Sequence, residues 1–329
     1  MYSSQWDRWT EWCSSRNINP ALPSSVDLAN FLGFLHSDRH LSASSVRVYR
    51  SAVCTTLRQI GGPVFSDDPL LRDVVRGISI TEARSPRRVP AWDLFVVLAF
   101  LREAPFEPLH RLDLKLLSFK TAFLVSLATG RRCSEVHGLS GLPQDIAFEP
   151  DGSISLRFLP DFLAKNQVPG DPSPCLSIRP LTAILAPDDP DRKLCPVRAL
   201  RRYIRFARAI RGPTQRRLFI SINSDYNKDI SRSTISRWLC SVVKMAYGGT
   251  PGVGDAPSVR AHEIRAWSSS LAFAHSRSLR EVLDAAYWRS EDPFINFYLR
   301  DVARLREDGS HGIASAVVAQ HCISARASR

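Results

Sequence analysis

The chain contains 329 residues, of which 44% are hydrophobic and 23% carry a charge. This is the composition of an ordinary globular protein, which excludes extensive disorder, and the length favours two domains over one. The formal net charge is +12, because 44 basic residues are set against 32 acidic ones. An excess of this size indicates a polyanionic partner, with nucleic acid as the first candidate, although a merely soluble basic surface would satisfy the same counts.

Cysteine usage and apolar runs indicate the compartment. The seven Cys residues are odd in number, they form no Cys-x-x-Cys pair, and no signal segment opens the chain. This pattern predicts free thiols in a reducing, intracellular compartment and no zinc site. The longest apolar runs, such as residues 94–101, are too short to cross a bilayer, so no membrane association is expected.

Residues 1–83 predict a small helical bundle. Apolar residues recur near every 3.6 positions in four segments, with capping residues at their starts. Prolines and arginines then interrupt this periodicity in EARSPRRVP, residues 82–90, which predicts an exposed basic linker at 84–91. The four predicted helices occupy residues 6–15, 26–37, 42–60 and 67–78.

Residues 92–311 predict a second, mixed domain, followed by a tail at 312–329. The apolar period changes from 3.6 to 2 at residues 153–160 and 175–181, which predicts two strands of a small sheet. Helical periodicity dominates elsewhere, and Gly130 is expected to end or bend a helix. The predicted fold class is therefore mainly α with a small antiparallel β-sheet. The helices of this domain are expected at 91–104, 112–130, 195–210, 233–248, 260–270, 278–288 and 292–308.

Three stretches carry side chains suited to chemistry on an anion. In RAHEIRAWSSS, His262 and Arg265 lie three residues apart and hence on one helix face, where both can reach the same anionic target. In ATGRRCSEV, a carboxylate at Glu135 can brace Arg132 three residues earlier. In NFYLRDV, Tyr298 lies in a predicted helix that begins with an Asp-Pro pair. Taken singly, each has a plain alternative as a surface charge or a packing residue. Nucleotide-binding, zinc-protease and serine-hydrolase motifs are absent from the sequence.

Taken in order along the chain, these stretches resemble the tyrosine recombinase (phage integrase) family. The matching pieces are ATGRRCSE, a Lys between two strands, HEIR, a Trp 23 residues after the second Arg, and NFYLRDV. Further pieces, including AWDL, LAKNQ, LCPVRAL and STISRWL, are most similar to the recombinases of DIRS-type retrotransposons. The chain departs from the family in a Trp-to-Tyr stretch one residue longer than the common spacing and in a HEIR motif without a following His. The catalytic residues that the resemblance implies are Arg132, Lys165, His262, Arg265, Trp288 and Tyr298, with Glu135 in support.

The resemblance implies a helical core-binding domain at 1–83 joined by the linker to a mixed α+β catalytic domain. The two arginines and His262 would surround one DNA phosphate, which Tyr298 attacks to form a phosphotyrosyl link. Lys165 would protonate the leaving 5′-oxygen, and Trp288 would donate its indole N–H beside the phosphate. The reaction so implied is breakage and rejoining of DNA strands without a metal or cofactor.

The same resemblance implies double-stranded DNA as partner, a homo-oligomer, specifically a tetramer, on that DNA, and a nuclear location in a eukaryotic host. Two other functions stay open: a catalytically silent DNA-binding remnant of a mobile element, and a type IB-like topoisomerase. Several basic residues outside the catalytic set could contact DNA or be plain solvated charge. These candidates are Arg47, Arg50, Arg84, Arg87, Arg88 and Lys244.

Overall fold

The chain folds into two compact units, Met1–Pro86 and Arg87–Arg329, each with its own hydrophobic core. The structure is a computed structural model. It describes residues 3–82, 92–164, 167, 175–223, 228–249, 258–276 and 279–285.

The first unit is a bundle of four helices. Each of the last three begins at a Ser or Asp whose side chain accepts a hydrogen bond from the backbone of the first turn, which satisfies a donor that the helix itself leaves unpaired. Trp9, Trp12 and Phe31 form the aromatic centre, with the rings of Trp9 and Phe31 5.0 Å apart. The helices are α1 (Ser3–Ser14), α2 (Ser25–Ser37), α3 (Ala43–Gln59) and α4 (Pro69–Thr81).

The second unit is built around one helix that is buried on all sides. This helix, α6 (Leu114–Thr129), buries every residue from Leu117 to Thr129 because its neighbours α8, α9 and α10 pack around it. An all-round apolar sequence such as AFLVSLAT is typical of a helix in that position. The other helices are α5 (Leu94–Leu101), α7 (Cys133–Gly138), α8 (Pro196–Ile210), α9 (Arg232–Gly249), α10 (His262–Ser276) and α11 (Leu279–Ala285), with short 3-10 turns at Leu109–Arg111, Pro143–Asp145, Leu181–Ala183 and Pro190–Leu194.

A small antiparallel sheet of three strands packs on this core. Its order is β1 (Ile146–Phe148), β2 (Ile154–Arg157) and β3 (Cys175–Ile178). The register pairs Ile154 with Ile178 and Leu156 with Leu176, and all four side chains are buried on the inner face. Alternation of this kind places every second residue on the core.

The predicted fold class is confirmed, with differences at the ends of elements. The helices predicted in the first unit and those predicted around residues 112–130, 195–210 and 233–248 are present. Both predicted strands are shorter than expected, and β1 was not predicted because its three residues, Ile146–Phe148, are too few to show a period and are largely exposed. The helix expected at 91–104 begins only after Asp93, which caps the Phe95 backbone N–H at 2.8 Å, and its last helical residue is Leu101. The helix predicted at 292–308 lies outside the described residues. Within the described ranges, no helix has the length and apolarity needed to cross a membrane.

Candidate active site

The site begins where α6 ends. Gly130 caps this helix in the left-handed conformation, with φ 59° and ψ 18°, which glycine adopts without the steric cost that a side chain brings. The chain then turns sharply, and α7 starts at Cys133, so that Arg132 is the residue immediately before it. The prediction that Gly130 closes this helix is therefore confirmed.

Glu135, in the first turn of α7, holds Arg132 in place. Its carboxylate is 1% exposed, and its Oε1 accepts a hydrogen bond from Arg132 Nη1 at 3.2 Å. Its Oε2 accepts a second one from the backbone N–H of Arg132 at 2.8 Å. The brace that the three-residue spacing predicts is thus present. A carboxylate at a helix start is further stabilised there by the positive end of the helix dipole.

Arg265 reaches the same carboxylate from a different helix. It lies in the first turn of α10, is 2% exposed, and donates from Nη1 to the backbone oxygen of Gly130 at 2.7 Å. The same Nη1 lies 3.7 Å from Glu135 Oε2. The two arginines singled out by sequence therefore meet at one buried carboxylate. The contacts of Arg265 with Glu135 and Gly130 were not predicted, because local spacing carries no information about residues so far apart in the chain.

His262 is the first residue of α10 and is exposed, whereas Arg265, three residues later, points into the interior. The spacing predicts that the two share one helix face; they share a helical turn but lie at different depths, His262 at the surface and Arg265 in the interior. Two guanidinium groups against one carboxylate leave a net positive charge at this point, with an imidazole at the adjoining surface. That combination suits binding of an anion and proton exchange with it.

Two titratable groups beside this cluster, Cys133 and His137, have pKa values shifted toward the neutral form. Burial raises the pKa of the Cys133 thiol to about 11. Burial also lowers the pKa of His137, although the hydrogen bond between its Nε2 and the Ile230 backbone oxygen, 2.7 Å long, opposes the shift. Cys133 is consequently a poor nucleophile. Arg132 and Arg265 therefore contribute positive charge here that neither Cys133 nor His137 adds to.

Three of the six predicted catalytic residues lie outside the described residues. They are Lys165, Trp288 and Tyr298. The catalytic roles of all six, and that of Glu135 as support, stay predictions.

The candidate DNA contacts are spread over both units. Arg47, on α3, is exposed and donates to the Ser79 hydroxyl at 2.7 Å, and Arg50 reaches the Ser66 backbone oxygen at 3.4 Å. Lys244 is exposed on α9. Arg84, Arg87 and Arg88 lie outside the described residues.

The fold is similar to that of solved site-specific recombinases. The XerH site-specific recombinase bound to its difH substrate in a pre-cleavage complex matches with a TM-score of 0.53 at 15% identity, over 90% of this chain and 71% of that one. XerH bound to palindromic difH in a post-cleavage complex matches with the same TM-score and identity, over 90% of this chain and 72% of that one. A lambda integrase dimer bound to a COC′ core site matches with a TM-score of 0.46 at 18% identity, over 93% and 78%. The mostly helical architecture with a small three-stranded sheet is similar to the fold of XerH. No protein-family model and no curated protein matches the sequence.

Proposed function

We propose that the protein is a site-specific DNA recombinase or integrase that cleaves and rejoins strands through a 3′-phosphotyrosyl intermediate. The observation that carries the proposal is the meeting of Arg132 and Arg265 at the buried carboxylate of Glu135. The fold similarity to XerH supports the same reading. The sequence resemblance to DIRS-type elements further suggests an origin in a retrotransposon and a nuclear location.

The two arginines would neutralise the phosphate. A phosphodiester resists attack because its charged oxygens repel the nucleophile, and more charge accumulates on them in the transition state. Planar guanidinium groups can donate to the two non-bridging oxygens, and each such preorganised donor lowers the barrier by roughly 3 to 4 kcal/mol. His262, at the exposed start of α10, adds a third donor or accepts the proton of the nucleophile.

Tyr298 would supply the nucleophile. Its phenol oxygen attacks the scissile phosphorus, the bond from phosphorus to the 5′-oxygen breaks, and the phenolic proton passes to His262. A phenol has a reference pKa of about 10 and needs such a base, or nearby cations, to react near neutral pH. Lys165 would protonate the departing 5′-oxygen, and Trp288 would donate its indole N–H to the phosphate. Attack by a 5′-hydroxyl of another strand reverses these bond changes and rejoins the DNA.

Double-stranded DNA is the proposed partner, gripped by both units. In this proposal residues 1–83 form the core-binding domain, 84–91 the linker, 92–311 the catalytic domain and 312–329 a tail. The basic candidates in both units would contact phosphates, so binding should weaken with salt, at a log-log slope of about 0.9 per phosphate engaged. The working complex is proposed to be a homo-tetramer on DNA, with neither a metal nor a cofactor.

The test is covalent capture. Wild-type protein and Tyr298→Phe are incubated with a library of nicked duplexes that carry randomised sites, and denaturant-resistant complexes are isolated. We expect wild type alone to retain DNA, joined to a peptide that contains Tyr298, and sequencing of that DNA identifies the target. Equal retention by the two proteins would contradict the proposal. Adduct-free DNA binding would favour the silent remnant, whereas relaxation of supercoils without strand exchange would favour a topoisomerase.

A further inference from the structure

The start of α10 is tied down by one carboxylate oxygen. Glu263 lies directly after His262 and two residues before Arg265. Its Oε2 accepts a hydrogen bond from the backbone N–H of Arg260 at 3.0 Å and another from the indole Nε1 of Trp92 at 2.8 Å. The first bond closes the turn that leads into α10. The second joins that turn to a residue at the very beginning of the second unit.

Trp92 is itself firmly placed. It is 2% exposed, and its ring packs on that of Trp267, one helical turn beyond Glu263, at a centroid distance of 6.2 Å. The next residue, Asp93, donates its backbone N–H to the hydroxyl of Tyr247 on α9 at 2.6 Å. Trp92 therefore contacts α10 at two points, by a hydrogen bond and by ring packing, while its neighbour is held by α9. These contacts hold the first turn of α10 in place.

These contacts fix the positions of His262 and Arg265, which are proposed to contact the phosphate. His262 and Arg265 occupy the same first turn as Glu263, so a shift of that turn moves both side chains together. Displacement of catalytic groups by about 1 Å can lower a rate by about 100-fold. We propose that Glu263, held by the Trp92 indole, is a positioning residue that sets His262 and Arg265 for strand cleavage. The inference rests on the proposed function and concerns the same site.

Three substitutions separate hydrogen bonding from charge. Glu263→Ala removes both hydrogen bonds. Glu263→Gln removes the charge but keeps a carbonyl oxygen that can accept both. Trp92→Phe keeps an aromatic ring against Trp267 and removes the indole donor. On the DNA recovered by covalent capture, the maximal rate of adduct formation should fall about 10- to 100-fold in Glu263→Ala and Trp92→Phe. The apparent Kd for DNA should change by less than about two-fold, and Glu263→Gln should stay within about three-fold of wild type.

Two results would overturn the inference: a Glu263→Gln variant as slow as Glu263→Ala, which would make the charge the important property, or an unaltered rate in Trp92→Phe. Should Glu263→Ala fail to fold, the comparison of Trp92→Phe with Glu263→Gln carries the test.

Amide hydrogen exchange, measured without DNA, tests the positioning role independently of adduct formation. Without DNA, amides of residues 258–264 should exchange faster in Glu263→Ala and Trp92→Phe than in wild type, and at the wild-type rate in Glu263→Gln. Unchanged exchange in all three variants would mean that the two hydrogen bonds do not hold the helix start, and the positioning role fails. If wild-type protein formed no adduct, the proposed function would be wrong. The exchange rates would still show whether the two hydrogen bonds to Glu263 hold the start of α10.

Discussion

Glu107 and Glu135 are both buried carboxylates that hold two basic side chains each, yet their contacts differ in length and in position. Glu107 Oε1 accepts from Lys120 Nζ and Arg198 Nη1, both at 2.6 Å, and its Oε2 accepts from Arg198 Nη2 at 3.0 Å and from the Leu109 backbone N–H at 2.8 Å. Both oxygens are thus occupied by short hydrogen bonds. This cluster ties the chain around residue 107 to α6 and α8.

The Glu135 cluster has longer side-chain ion pairs and lies at three helix ends. Arg132 Nη1 is 3.2 Å from the carboxylate, and Arg265 Nη1 is 3.7 Å from it, which exceeds a direct hydrogen bond. The side chain of Arg132 is 16% exposed. The Glu107 contacts are short and hold buried charge, which favours a role in stability, whereas Arg132 is partly exposed and is therefore the arginine of the Glu135 cluster that an anion can reach. We therefore expect substitutions in the Glu107 cluster to change the free energy of unfolding and those in the Glu135 cluster to change the rate of cleavage.

The largest expected effect is on stability, in Glu107→Gln. The variant leaves the Lys120 ammonium, which is 0% exposed, without a counter-charge, and removing one partner of a buried ion pair costs about 3 to 5 kcal/mol. Urea denaturation measures the loss. The matched control is Glu103→Gln, four residues earlier, where the ion pair with Lys193 is exposed and 3.8 Å long, and where we expect a change below about 1 kcal/mol. Similar losses in both variants would contradict the comparison.

The next effect is on catalysis, in Arg132→Ala. Loss of one preorganised donor should lower the rate of adduct formation by about 10² to 10³, equivalent to roughly 3 to 4 kcal/mol of barrier. Arg198→Ala, which removes an arginine from the other carboxylate, should leave the rate within about three-fold of wild type at a temperature where the variant stays folded. The measurement is single-turnover adduct formation. A comparable rate loss in Arg198→Ala would erase the distinction between the clusters.

A smaller effect on rate is expected in Glu135→Gln. The amide still accepts one hydrogen bond but no longer attracts either guanidinium group, so both become less well placed. We expect the adduct rate to fall by about ten-fold and the free energy of unfolding by about 1 to 3 kcal/mol. Glu107→Gln provides the comparison, with its larger stability loss and unchanged rate. Glu135→Gln with wild-type rate would show that the brace is not needed for cleavage.

The smallest effect is a pH dependence of the Glu107 contribution. Burial raises the pKa of this carboxyl, but hydrogen bonds from Arg198 and Lys120 outweigh burial and lower its pKa to about 2, from 4.5. Burial lowers the pKa of Lys120 to about 8, so this ammonium stays protonated in acid. Because the folded pKa of Glu107 is the lower one, its stabilisation is complete above about pH 4.5 and is lost as the pH falls toward 2.

The stability gap between wild type and Glu107→Gln should therefore shrink by about 1 kcal/mol between pH 6 and pH 3.5. Urea denaturation at a series of pH values measures the gap, in which the titration of all other groups largely cancels. A gap that is constant, or that widens in acid, would contradict the assigned direction of the Glu107 pKa.

The two clusters also show what the sequence can and cannot reveal. The pair Arg132 and Glu135 is predicted because both residues lie on one short helix start, and α6, β2 and β3 follow from apolar periodicity. The Glu107 cluster is not predicted, because its members come from a Pro-rich turn and two separate helices and no local pattern links them. The contact between Trp92 and Glu263 is missed for the same reason, since the two residues are far apart in the chain. Local order is encoded in spacing, whereas the meeting of distant side chains depends on packing.

The most direct test of the central claim, that Arg132 and Arg265 neutralise one phosphate, uses a target DNA in which the scissile phosphate is replaced by an uncharged methylphosphonate. With less charge to neutralise, the rate defects of Arg132→Ala and Arg265→Ala relative to wild type should shrink by at least about ten-fold compared with those on natural DNA. Rate defects of the same size on both substrates would show that these guanidinium groups act elsewhere, and the proposed role of the cluster at Glu135 would be wrong.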